Sequence, residues 1–147
     1  MVGFLEFDET NSTLWEENLR TYGKLPAGYK PDIVFGERQV GPESQYGFKE
    51  TLNGFLYGNT TGLTMREGDR VRWYLMASTN FEIHAPHWHG NTVQAMHMTT
   101  DVVSLLPMGM LVANMVPDNP GRWLFHCHVA PHLLMGMEAT YEVLPRQ

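Results

Sequence analysis

From about residue 50 onward, turn signals recur at short intervals, at Asn53-Gly54, Gly58-Asn59, Gly62, Glu67-Gly68-Asp69, Gly90-Asn91, Pro107, Pro117-Asp118-Asn119-Pro120-Gly121 and Gly136. Such spacing leaves no room for long helices. The text between the turns is short and rich in aromatic or branched residues, as at 70–75 and 122–125, which suits a half-buried pleated surface. Many short strands between close turns predict an all-β sandwich, here expected as a Greek-key sandwich. The first fifty residues are looser. Thr13-Leu14-Trp15-Glu16 has capping-box spacing and predicts a short helix over about 14–22. Residues 23–46 are broken by proline and glycine, with strand-like text at Asp32-Ile33-Val34-Phe35. The expected organisation is one domain, with an N-terminal arm over 1–50 packed on a core over 51–147.

Charge narrows the classes of partner. Ten basic residues stand against sixteen acidic ones in 147 residues, a formal charge of −6, and no Lys/Arg stripe is present to neutralise phosphates. Nucleic acid and anionic membrane are therefore excluded as partners. No apolar run is long enough to cross a bilayer, and Met1-Val2-Gly3-Phe4 lacks the basic and apolar regions of a secretory signal, so a mature or a cytosolic form is expected. The single cysteine, Cys127, excludes an intrachain disulfide.

Six of the seven histidines fall in two short stretches. In His84-Ala85-Pro86-His87-Trp88-His89-Gly90, an extended backbone turns His87 and His89 to one face, while Pro86 displaces His84 toward another. In His126-Cys127-His128 the same alternation turns the thiol one way and both imidazoles the other. Two metal sites back to back are implied, joined by the peptide neighbours of Cys127. His132 and Met137 add an imidazole and a thioether to the cysteine side. Cysteine, two histidines and a weak axial methionine form the ligand set of a blue-copper site. Taken singly, each of these residues would be an ordinary core or surface side chain. Their joint spacing argues otherwise. Zinc also takes Cys and His, but a structural zinc site has no use for four further histidines.

At these residues the chain resembles the multicopper oxidases, specifically a C-terminal cupredoxin domain of the ceruloplasmin-like and laccase-like branch. The resemblance rests on His-x-x-His-x-His-Gly at 84–90 and His-Cys-His-x-x-x-His-x-x-x-Gly-Met at 126–137. It extends more weakly through 53–59, 68–73 and 118–123. It implies a cupredoxin-like fold and assigns type 1 copper to His84, Cys127, His132 and axial Met137. It assigns type 2 copper to His87, and the type 3 pair, where O2 is reduced to water, to His89, His126 and His128. Cys127, His126 and His128 would carry electrons between the sites.

The family builds its three-copper cluster from four His-x-His pairs drawn from two domains, and this chain has two pairs. Two copies related by a two-fold axis would complete the set, so a dimer or hexamer is expected ahead of a trimer. The alternatives are a type 1 electron-transfer domain, or an isolated C-terminal domain of a longer oxidase, without a complete cluster. A nitrite reductase-like enzyme is a third reading, against which the presence of both His126 and His128 argues. The resemblance further implies a secreted or periplasmic setting, O2 as acceptor, and a small reductant: a phenol, an aromatic amine, Cu(I) or Fe(II). It places acidic Asp101 near the type 1 site, holding a cationic substrate or steering a histidine, and Asp101 or Glu138 would deliver protons because Leu133 stands where some members have an acid. Met96, Met98, Met108, Met110 and Met115 are read chiefly as core fillers, with a soft Cu(I) approach path as the sharper alternative. His97 matches no ligand position.

Overall fold

Strict alternation of buried and exposed residues along Val71–Ala77 (β4) and Met110–Met115 (β8) marks two strands that each bury one face. They pair antiparallel, with Trp73 opposite Ala113 and Leu75 opposite Leu111. The computed structural model describes residues 1–9, 12–23, 47–78 and 82–146. The remaining strands are Val2–Asp8 (β1), Phe48–Leu52 (β2), Thr64–Arg66 (β3), Pro86–Trp88 (β5), Val93–Ala95 (β6), Met98–Thr100 (β7), Gly121–Cys127 (β9) and Glu138–Leu144 (β10). They form a six-stranded sheet, β2-β1-β4-β8-β6-β7, and a four-stranded sheet, β3-β10-β9-β5. The chain is thus the expected all-β, cupredoxin-like sandwich, with strands where 70–75 and 122–125 predicted them.

An aromatic cluster joins the two sheets. Trp73 of β4 meets Trp88 of β5, Phe125 of β9 and Tyr141 of β10 at ring distances of 5.7, 5.1 and 5.9 Å, and Phe4 of β1 reaches Phe125 at 5.9 Å. All five are buried. Rings of this size, meeting largely edge-on or tilted, supply much of the apolar area that holds a sandwich together.

Contacts divide the chain into two units, Met1–Leu5 with Glu50–Gln147, and Glu6–Lys49. The first residues enter the sandwich because β1 lies parallel to β4, Val2 opposite Leu75 and Phe4 opposite Ala77, which buries both side chains. Asn53 anchors this edge: its Oδ1 accepts the Gly3 N–H at 2.7 Å. The second unit carries the expected helix as Trp15–Tyr22 (α1), with Trp15 and Leu19 buried. Its cap differs from expectation. Leu14 occupies the N-cap without a side-chain cap, and Ser12 Oγ accepts the Leu14 N–H at 3.2 Å, so Thr13 does not close a capping box. Ser12 Oγ thus satisfies one amide just ahead of the helix, and the Ser12 carbonyl accepts the Trp15 N–H at 3.0 Å. The strand-like text at 32–35 lies outside the described residues.

Candidate metal centre

Strands β5 and β9 run antiparallel with Pro86 opposite Cys127, His87 opposite His126 and Trp88 opposite Phe125. Because directly paired residues share a face, Trp88 and Phe125 enter the core while His87 and His126 emerge together on the opposite side. Cys127 returns to the inner side, fully buried.

Around the thiol, three donors converge. Cys127 Sγ lies 3.5 Å from His132 Nδ1 and 3.9 Å from His84 Nδ1, and the two Nδ1 atoms are 3.2 Å apart. His84 is placed from one side by a backbone bridge to Leu105, its N–H donating at 2.9 Å, and by packing against the Phe4 ring. His132 rides on the short helix Ala130–Leu134 (α2), whose turn carries its ring back toward Cys127 five residues earlier. Met137 is fully buried, and its carbonyl accepts the Cys127 N–H at 3.1 Å, tying the thioether residue to the thiol strand. The donor set suits copper. Two imidazole nitrogens and one sulfur, all buried and within 4.8 Å of one another, would hold copper as a His2Cys donor set.

Across the strand a second group converges. His126 Nε2 lies 3.2 Å from His87 Nδ1 and 3.0 Å from His89 Nε2. The His128 ring sits 5.0 Å from that of His87 and 5.6 Å from that of His126, and His128 is exposed. The His126 Nδ1–H donates to its neighbour's carbonyl, Cys127 O, at 2.8 Å, which leaves Nε2 as the lone-pair nitrogen facing the group. A shared cation would draw His126 Nε2 and the two ring nitrogens that face it, at 3.0 and 3.2 Å, onto one centre. This second donor set also fits copper.

Surrounding residues lock these rings. Tyr141 donates its hydroxyl to the His89 carbonyl and accepts from Asn91 Nδ2 at 3.0 Å, and burial pushes its own pKa up to about 12, so it stays a donor. Gly90, at φ +72°, leaves room that no other residue could: a Cβ there would stand 2.2 Å from the Trp123 indole. Gly136, at φ +108°, does the same against Leu56. The glycines in both sequence motifs are therefore packing requirements.

Two acidic residues that sequence reasoning did not select touch the first set. Glu82 Oε2 lies 2.6 Å from His132 Nε2, and Glu50 Oε1 lies 4.0 Å from the same nitrogen. By accepting from Nε2–H, Glu82 holds His132 in the tautomer whose Nδ1 lone pair faces Cys127. Glu50 is wholly buried. A signal existed for Glu82, which stands two residues before His84; Glu50 is placed by strand Phe48–Leu52, which was not singled out from the sequence. Asp101 differs from expectation. Its Oδ2 lies 3.6 Å from His87 Nε2, so it attends the histidine group and not the thiol group, and steering a histidine is the role its position supports. The bridge of Val102 to His87 explains the placement.

Burial, then the neighbouring His132, lowers the His84 pKa to about 4, while burial lowers His87 and His126 in the same direction. These rings are neutral, ready to ligate, at neutral pH. Burial also pushes the Cys127 thiol up, so metal uptake must release its proton. Metal-free protein is accordingly expected to lose stability as pH falls. With the folded His84 pKa below the unfolded 6.5, the unfolded chain binds more protons between those values, at a cost of up to ~3 kcal/mol by pH 4. Denaturant titrations of metal-free protein from pH 7.5 to 4.5 check this, and a flat or rising profile on acidification would contradict it.

Residues 34–147 match the family model described as multicopper oxidase. The chain is 38% identical over 148 residues to ceruloplasmin of Rattus norvegicus, covering 98% of this chain and 13% of that protein. It is 33% identical over 146 residues to ferroxidase HEPHL1 of Mus musculus, covering 96% of this chain and 12% of that protein. A solved multi-copper oxidase from Pediococcus acidilactici shares its fold, with a TM-score of 0.61 at 20% identity over 67% of this chain and 24% of that one. The chain spans about an eighth of the length of the curated relatives it matches.

Proposed function

Because this chain belongs to the multicopper oxidase family, we propose that His84, Cys127, His132 and Met137 hold a type 1 copper while His87, His89, His126 and His128 supply half of a three-copper cluster. Bound copper would supply one-electron acceptance at the first set and reduction of O2 to water at the second. The observation that carries this reading is the position of Cys127. Its thiol meets His84 and His132 inside the sandwich, while the adjoining His126 meets His87 and His89 outside it. One peptide unit thus connects the two donor sets, and the thiol strand holds both at fixed separation.

The remaining cluster ligands come from a second cupredoxin domain. Exposed His128 and half-buried His87 and His89 leave the outer group open to such a partner. A second copy about a two-fold axis, in a dimer or hexamer, supplies an identical set of histidines. A second reading, in which another domain of a longer oxidase completes the cluster, is supported by the 13% share of ceruloplasmin that this chain spans. Copper content and native mass of one metal-loaded sample separate the two. About five coppers per two chains in an even-numbered oligomer is expected of the first, and one copper per chain in a monomer would overturn it in favour of the second.

Fe(II) is the reductant the site suits best. Partly exposed Glu82 places a carboxylate 2.6 Å from His132 Nε2, and wholly buried Glu50 adds a second at 4.0 Å; hard oxygen donors beside a ligand imidazole attract a cation, whereas phenols and aromatic amines lack the charge. A relative bearing the name ferroxidase supports the same choice. Asp101 orients His87 and passes it protons from solvent, a role that undiminished oxygen uptake by copper-loaded Asp101→Asn would overturn. Placement outside the cytoplasm rests on family resemblance. No described helix is long and apolar enough to cross a membrane.

A further inference from the structure

The hairpin joining β6 to β7 turns through Met96 and His97, with Ala95 paired to Met98. Both central residues lie in the left-handed region, at φ 48° and 65°. This is the two-residue loop with positive φ at each position, whose twist matches that of the flanking strands and which ordinarily selects Asn-Gly. The same chain makes the ordinary choice elsewhere: Asn53-Gly54, at φ 55° and 82°, turns between the bridged pair Leu52 and Phe55. Methionine does not ease the backbone at the second turn, since a Cβ is disfavoured there, whereas histidine enters the left-handed region more readily than most residues.

Packing does not account for the choice either. Met96 and Met98 are 55% and 54% exposed, and His97 is exposed, although thioethers are most useful in filling irregular gaps of a core. On the same sheet, Met110 is 72% exposed and sits directly opposite Met76 in the β4–β8 register. The Gln94 side chain hydrogen-bonds Thr99 across the hairpin, so the tip stands on a braced base.

What the tip does offer is a donor set. Two thioethers and an imidazole occur in three consecutive residues, and the flanking Ala95, Thr99 and Thr100 carry no charge. Thioether sulfur selects soft monovalent ions, while a turn without carboxylates offers little to Fe(II), Mg(II) or Ca(II). We propose that Met96-His97-Met98 is a surface site for one Cu(I) ion. It shares no residue with the two donor sets around Cys127 and stands or falls independently of their assignment. The turn puts Met96 and His97 at its two central positions and Met98 on the strand residue that follows, all three exposed, where Asn-Gly would leave Met98 as the one soft donor.

The test uses the full chain, copper-loaded and reduced under anaerobic conditions, with methionine methyl groups labelled for NMR. Ag(I), a redox-inert ion of the same charge and softness, is the probe. The Met96 and Met98 methyl resonances should shift and saturate at about one equivalent, with buried Met65 and Met115 unmoved. The double variant Met96→Asn/His97→Gly preserves the turn geometry, so its Tm should be unchanged or higher while affinity for this equivalent falls at least about tenfold. Met96 and Met98 resonances that do not move, or a double variant that still takes up the same Ag(I), would overturn the proposal.

Discussion

Cys127→Ser is expected to yield copper-loaded protein without blue absorption and without measurable oxidation of any reductant, although the variant keeps its fold. Serine is nearly isosteric and removes only the sulfur that lies 3.5 and 3.9 Å from the two imidazoles, and blue-copper sites require that thiolate. The informative partner variant is His126→Ala. His126 faces away from the thiol, so its loss should leave the blue absorption in place while abolishing oxygen uptake, because the outer group loses the ring that meets both His87 and His89 at 3.0 to 3.2 Å. Visible spectra and oxygen-electrode traces on matched, metal-loaded samples decide the matter. Blue colour surviving Cys127→Ser, or oxygen uptake surviving His126→Ala, would contradict the two-site reading.

Glu82→Gln should separate Fe(II) from uncharged reductants. The amide can still accept from His132 Nε2–H and hold the ring, but it removes the negative charge at the more solvent-accessible carboxylate, 22% exposed where Glu50 is fully buried. Coulomb attraction at a partly buried position changes by a few kcal/mol with one charge, so KM for Fe(II) should rise by about tenfold to a hundredfold. The same variant should leave KM for a phenol within about twofold. Equal effects on both substrates would show that Glu82 acts only by orienting His132, and would remove the argument for Fe(II). Glu82→Leu supplies the comparison: loss of the hydrogen bond to a ligand histidine should lower metal affinity about 10- to 100-fold.

Much of the site was legible before any fold was known, for a physical reason that the structure makes plain. Extended backbone alternates its side chains with a period of two, so the text His126-Cys127-His128 already commits the thiol and its neighbours to opposite faces. Gly90 and Gly136 read only as turn signals, and the clashes a Cβ would make there came from the structure. The turn signals announced an all-β chain. Less was legible in the first fifty residues. Val2-Gly3-Phe4 is too short a run to declare itself a strand, and becomes one only because Leu75 and Ala77 lie alongside it. Thr13 sat at a plausible cap position, yet the helix starts at Trp15 with Leu14 at its N-cap and no side-chain cap.

The sequence by itself determined which donors exist, how they divide between two faces, and which turns punctuate the strands. All of these relations run between residues a few positions apart, where bond geometry and backbone period leave little freedom. Only the tertiary structure decided which distant groups meet: His84 with Cys127 across 43 residues, His132 with Glu82 across 50, and Asp101 with His87 rather than with the thiol. Those meetings depend on the order in which the described strands are laid into two sheets and on the register of β5 against β9, where a one-residue slip would send each histidine to the wrong face.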